Sequence, residues 1–223
     1  MRHFGAQVSF EGNIVKVSPG AYQSAPFTVE SDWSAASYWF AFTALASDAS
    51  ISLPKLSLTS LQGDSVIRKI MEPLGVDAVM ENGLLKLTKR KHLSELSWDF
   101  THCPDLAQTV AVVCAAKGIK GHFTGLESLR IKETDRIAAL QQELKKIGGD
   151  LIEVDAEHWT LVPSQQLPAR ASFATYKDHR MAMAFAPLVT LMDVEIDKGD
   201  VVRKSYPNFW NDLKTVGINV TEA

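Results

Sequence analysis

Cysteine is scarce. The 223 residues include only Cys103 and Cys114, at the two ends of one apolar stretch, which supports neither a disulfide framework nor a zinc site. Long apolar runs are missing as well. Nothing approaches the ~20 uncharged residues of a membrane-spanning helix, and the opening Met1-Arg2-His3-Phe4-Gly5 lacks the basic-then-apolar order of a signal peptide. These absences point to a cytoplasmic protein that is neither secreted nor membrane-inserted. Neither charge sign dominates: 23 Lys and Arg against 26 Asp and Glu give a formal charge of −3, without acidic or basic tails, so nucleic acid is not an expected partner. What is present, 46% apolar and 22% charged residues, is the profile of a globular chain long enough for one large domain or two small ones.

The chain repeats itself. Three segments begin with an aspartate and run on into small and apolar residues: Asp32-Trp33-Ser34-Ala35-Ala36, Asp105-Leu106-Ala107-Gln108-Thr109 and Asp178-His179-Arg180-Met181-Ala182. Their aspartates stand at a constant step of 73 residues. A second marker, an apolar residue before glycine, recurs as Leu74-Gly75, Ile147-Gly148 and Val216-Gly217, the first two again 73 apart. A period this long suits a subdomain used three times rather than a solenoid unit.

Each unit opens with a segment apolar on nearly every side, expected as a buried helix with the aspartate as its N-cap. A short strand follows, at 51–53 and 120–123. Next comes an amphipathic helix, clearest at 135–147, where Ile137, Leu140, Leu144 and Ile147 recur at helical spacing; Thr134 or Glu133 is its expected cap. Two strands close the unit, at 76–80 with 84–87 and at 150–154 with 159–162, the first pair joined by the turn Glu81-Asn82-Gly83. Taken cyclically, the repeat reads β-α-β-α-β-β. Strand-like stretches at 6–10 and 14–17 resemble the back end of another unit, so at least one more unit is expected upstream. On this reading residues 1–30 are the remnant of a neighbouring domain. Residues 31–223 are a three-repeat domain with units at about 31–103, 104–176 and 177–223, the last completed from elsewhere in a longer chain.

Basic residues gather at helix starts. Arg130-Ile131-Lys132-Glu133-Thr134-Asp135-Arg136 leads into the amphipathic helix, Asp178-His179-Arg180 opens a buried one, and Arg203-Lys204-Ser205-Tyr206-Pro207 is expected to open the last, with Ser205 as cap and Pro207 in its first turn. A helix amino terminus offers free N–H groups and a positive dipole end. If the starts converge, Lys132, Arg136, Arg180 and Lys204 form a site for a multiply anionic small molecule. The alternative is a set of ion pairs with Glu133, Asp135 and Asp178. Glu133, between Lys132 and Arg136, is a candidate for proton transfer. Asp105 and His179 read either as site residues or as plain structural ones.

At these positions the sequence closely resembles the 5-enolpyruvylshikimate-3-phosphate synthases. Lys132-Glu133-Thr134-Asp135-Arg136 is similar to that family's Lys-Glu-(Ser/Thr)-Asp-Arg signature, and Asp178-His179-Arg180-Met181-Ala182-Met183 to its Asp-His-Arg-Met-Ala-Met. Lys204-Ser205-Tyr206-Pro207 resembles its Lys-(Ser/Thr)-(Phe/Tyr)-Pro, and Pro104-Asp105 its Pro-Asp. The likeness runs in order over the whole chain but covers about the second half of a family member. A related enolpyruvyl transferase that acts on UDP-N-acetylglucosamine lacks this combination, and a non-catalytic binder of phosphorylated acids has no use for Asp105 and Glu133.

The resemblance implies an inverse α/β-barrel-like domain of three β-α-β-α-β-β units with buried parallel helices, facing an amino-terminal domain across a cleft. It implies transfer of the enolpyruvyl group of phosphoenolpyruvate to the 5-hydroxyl of shikimate 3-phosphate, without cofactor or metal. Asp105 would bind the shikimate hydroxyls and act as base, and Glu133 would exchange a proton with the methylene carbon, with His179 orienting it. Lys132 would hold shikimate 3-phosphate, and Ser128 stands where some members place an asparagine that touches it. Arg136 and Arg180 would clamp the phosphoenolpyruvate carboxylate, and Lys204 would meet the transferring phosphate. The amino-terminal part of the site has no counterpart here, so the chain alone is expected to be inactive.

Overall fold

A computed structural model describes residues 1–222, which fall into two compact units, Met1–Glu30 and the chain from Ser31 onward. The first unit carries an antiparallel hairpin of β1 (Val8–Glu11) and β2 (Ile14–Val17), paired from Val8↔Val17 to Glu11↔Ile14. Phe10, Ile14, Val15 and Val17 of this hairpin are exposed. His3 meets Phe4 and Phe27 edge to face in the same unit, with the two phenylalanines tilted against each other.

The second unit alternates helices and strands. Its first part comprises α1 (Trp33–Leu45), β3 (Ser50–Pro54), α2 (Ile67–Met71), β4 (Val76–Glu81) and β5 (Leu84–Lys89). The middle part comprises β6 (Glu95–Asp99), α3 (Ala107–Ala116), β7 (Lys120–Thr124), α4 (Arg136–Lys145), β8 (Asp150–Glu153) and β9 (Trp159–Val162). Then come β10 (Arg170–Phe173), α5 (His179–Phe185), β11 (Asp193–Ile196) and α6 (Phe209–Thr215).

Only the middle part contains the full β-α-β-α-β-β sequence in order. Its sheet runs β6-β7-β9-β8, with β6 parallel to β7 and the other pairs antiparallel. The first part shows the same pattern without its leading strand, as β3-β5-β4, and the third shows the parallel pair β10-β11 alone. Parallel pairing needs a crossover, and α3 and α5 supply it at equivalent places. The 73-residue step in the sequence is therefore a step in topology.

Helices α1, α3 and α5 touch one another, and all residues of α3 except Ala116 are buried. A helix apolar all round can be stable only inside, so these three form the centre and the sheets lie outside them. The amphipathic α4 behaves differently: Ile137, Leu140 and Leu144 are buried while Gln142 and Lys145 are exposed. The carbonyls left at the ends of the second helices are met by Gly75, Gly148 and Gly217, whose N–H groups bond back to Glu72, Lys145 and Lys214 and whose φ values are 103°, 80° and 87°.

Three helix starts differ from expectation. Asp105 does not cap α3: Pro104–Leu106 form a 3-10 turn first, and no side chain caps the helix. Its carboxylate is instead held by two guanidiniums, as described below. The cap of α4 is Asp135, which accepts from the Ala138 N–H at 3.0 Å, in place of Thr134 or Glu133. Lys204 ends a 3-10 turn, Gly199–Lys204, and α6 begins only at Phe209 with Asn208 before it, so Ser205 closes the turn instead of capping α6. Proline disfavours helical backbone in the residue before it, so Pro207 holds Tyr206 out of the helix and delays its start.

Gly125, after β7, has φ 72°, and a Cβ there would lie 2.2 Å from the Thr101 backbone nitrogen. Both strain and collision oppose any side chain. Gly125→Ala is expected to lower the unfolding free energy by roughly 1–3 kcal/mol, measured by urea denaturation.

Candidate active site

Arg136 opens α4 and is 1% exposed. Its Nε donates to Asp178 Oδ2 at 2.6 Å, Nη1 to Asp105 Oδ1 at 2.9 Å and Nη2 to Glu133 Oε2 at 2.7 Å. One guanidinium thus joins the start of the third repeat to two places in the second. Asp178 is fully buried and also caps α5, accepting from the Arg180 N–H at 2.8 Å. Arg180 turns its Nη2 to Asp105 Oδ2 at 3.0 Å and its Nη1 to the Asp105 carbonyl at 3.3 Å. The Asp105 carboxylate is therefore shared between two arginines, with Lys132 Nζ 3.6 Å from Oδ1.

The rim is more open. Lys204 donates to Glu133 Oε1 at 2.5 Å, and their side chains are 58% and 27% exposed. The Lys204 hydrogen bond, with help from the Arg136 charge, holds the Glu133 carboxyl down at about 2. At neutral pH it is an anion and a poor proton donor. His179 is nearly buried; burial lowers its pKa, so the ring is neutral at pH 7. Its Nδ1 lies 3.7 Å from Asp178 Oδ1, too far for a hydrogen bond, and has no partner among the described residues. Ser128 is exposed on the 3-10 turn Glu127–Ile131.

The convergence of Lys132, Arg136, Arg180 and Lys204 is thus found, but not as free cations. Each holds at least one of Asp105, Glu133 and Asp178. Asp135, a candidate partner for these cations in the sequence, pairs with Arg130 at 3.6 Å. An anion entering here must compete with carboxylates already in place.

The EPSP synthase (3-phosphoshikimate 1-carboxyvinyltransferase) family model matches residues 1–213. The chain belongs to this family. A 3-phosphoshikimate 1-carboxyvinyltransferase of Bacteroides fragilis strain YCH46 is 44% identical over 230 residues, which cover 99% of this chain and 55% of the relative. The Neisseria meningitidis serogroup B protein of the same name is 35% identical, covering 95% and 50%. The chain spans about half the length of the curated relatives it matches. Among solved structures, EPSP synthase from Acinetobacter baumannii superposes with a TM-score of 0.77 at 21% identity, covering 98% of this chain and 53% of that one. The enolpyruvyl transferase NikO from Streptomyces tendae superposes at 0.62 and 14% identity, covering all of this chain and 52% of its own. The fold is that of the enolpyruvyl transferases.

Within this EPSP synthase family chain, Asp178, expected as a cap and as an alternative ion-pair partner of the basic residues, is the buried counter-ion of Arg136. One acid near the cluster escaped the sequence reading. Asp64 accepts a hydrogen bond from Ser34 Oγ; burial raises its pKa, while the Arg180 charge opposes the rise. Among the described residues no group of three or more His, Cys, Asp or Glu could hold a metal ion, and no helix is long and apolar enough to cross a membrane.

Proposed function

We propose that this chain forms one face of a site at which an enolpyruvyl group passes from phosphoenolpyruvate to the 5-hydroxyl of shikimate 3-phosphate with release of phosphate. On this reading Met1–Glu30 belongs to a neighbouring domain, the three-repeat domain begins near residue 31, and an amino-terminal domain supplies the opposite face. The observation that carries the reading is the Arg136 hub, which gathers Asp105, Glu133 and Asp178 with Arg180 and Lys204 around it.

The pairing gives each residue a task. The phosphoenolpyruvate carboxylate takes over donors of Arg180 and Arg136, since a planar guanidinium suits a carboxylate. Displacing Asp105 from those arginines frees it to bind the shikimate hydroxyls and take the proton of the attacking one. The transferring phosphate draws Lys204 away from Glu133. Without that hydrogen bond the Glu133 pKa climbs from about 2, and the carboxyl can carry a proton to and from the methylene carbon. Lys132 and Ser128 lie on the side of shikimate 3-phosphate, and neutral His179 orients Glu133.

The test is phosphate release from the two substrates. These 223 residues alone are expected to release none. Mixing them with the separately expressed amino-terminal half of the Bacteroides fragilis relative is expected to restore turnover. Release by the chain alone would refute the split site. A folded, associated pair that turns over neither substrate would refute the enolpyruvyl transfer.

A further inference from the structure

Away from this cluster, the carboxyl end of α1 is closed in an unusual way. Ala44 O accepts from Lys89 Nζ at 3.2 Å and from Lys117 Nζ at 3.0 Å, and Lys89 Nζ also donates to Ala46 O. Two amines from different repeats therefore meet at one carbonyl. Neither has a carboxylate partner among the described residues. The acids of the neighbouring strand and helix, Glu72 and Asp77, are both held by Arg90. The other groups around Lys117 are the buried Cys114 thiol and, beside Gly75 with the Lys117 amine, the Arg90 carbonyl and the His92 side chain.

A helix end offers about half a negative charge, and two ammonium groups bring two positive ones. Both cannot be compensated, so one of the two is expected to give up its proton more readily than an ordinary lysine. Lys89 bonds two carbonyls and Lys117 only one, which makes Lys117 the amine that yields. Burial, and next the Lys89 charge, hold the Lys117 amine down at about 8.

We propose that Lys117 is a site of non-enzymatic acylation by small acyl phosphates. The amine lone pair attacks the acyl carbon and a C–N bond forms. The C–O bond to phosphate breaks, phosphate leaves, and the amine proton passes to solvent. Lys89 and Lys91, neither of them paired with a carboxylate among the described residues, supply the positive charge that draws an anionic donor. The product amide keeps one N–H for Ala44 O and relieves the repulsion.

The test uses acetyl phosphate on the full chain, with a lysine model amide as internal standard and site occupancy read by peptide mass spectrometry from about pH 6 to 10. At about pH 7.5 the neutral fraction exceeds that of an ordinary lysine by about two orders of magnitude, part of which is lost to lower basicity. Lys117 is expected to acetylate at least roughly tenfold faster than the standard. Its rate midpoint should lie near pH 8. Lys89→Met should move that midpoint upward and slow the reaction, whereas Lys89→Arg, which keeps the charge, should leave both unchanged. A Lys117 rate no greater than the standard's, or a midpoint unmoved by Lys89→Met while Lys89→Arg folds normally, would overturn the proposal.

Discussion

Replacing Arg136 by methionine is expected to lower the unfolding free energy by about 3–5 kcal/mol, the range for removing one partner of a buried ion pair. Methionine fills similar volume, so the loss comes from charge rather than from a cavity. Asp178 is fully buried and would keep only the Arg180 N–H as a donor, while Asp105 and Glu133 would retain Arg180 and Lys204 at the rim. The cost should therefore fall mainly on Asp178. Adding Asp178→Asn to Arg136→Met removes the stranded charge and should recover part of the loss, so the two changes should be far from additive. Lysine at 136 restores the charge but cannot span three carboxylates, and should fall between parent and methionine. Urea midpoints of these proteins and of Asp178→Asn alone, five in all, at constant m-value would measure this; a loss under about 1 kcal/mol in Arg136→Met would show that the hub is not structural.

Much of this architecture was legible because it repeats. A buried helix has to be apolar all round, and three such stretches in step revealed α1, α3 and α5 before any strand was placed. The hairpin of β4 and β5 was equally plain, since Asn82-Gly83 suits the positive φ values of 52° and 77° found there. What local reading missed was pairing over distance. Arg136 and Asp178 are 42 residues apart, so the sequence left open whether the cations at helix starts were free or paired, and three of the pairings cross from one repeat to another. Asp105 looked like a cap for the same reason, because a local rule assigns an aspartate to the nearest N–H groups while two distant guanidiniums offered more. Pro207 explains why Tyr206 stays out of α6, but it does not by itself place the helix start at Phe209. Lys89 and Lys117 gave no local signal, since they meet only at the end of a helix from a different part of the chain.

The second large effect concerns turnover. In the reconstituted protein, Glu133→Gln is expected to lower kcat by roughly 10²–10⁴-fold, the usual span for a positioned proton-transfer group, with KM changed only a few-fold. Glutamine keeps the shape and an oxygen for Lys204 or Arg136 but cannot carry the proton. A separate readout distinguishes this from a structural role. Because the folded-state pKa of Glu133 is depressed to about 2, its charge contributes stability that is fully present above its unfolded pKa. That contribution is lost as pH falls from there toward 2. Glu133→Gln should flatten that part of the stability curve whether or not the residue takes part in chemistry. Lys204→Met removes the leading cause of the depression and should shrink the Glu133 part of the acid loss of stability. A flattened stability curve with unchanged kcat would confine Glu133 to holding Lys204 and Arg136, and the proton to the methylene carbon would then have to come from another group.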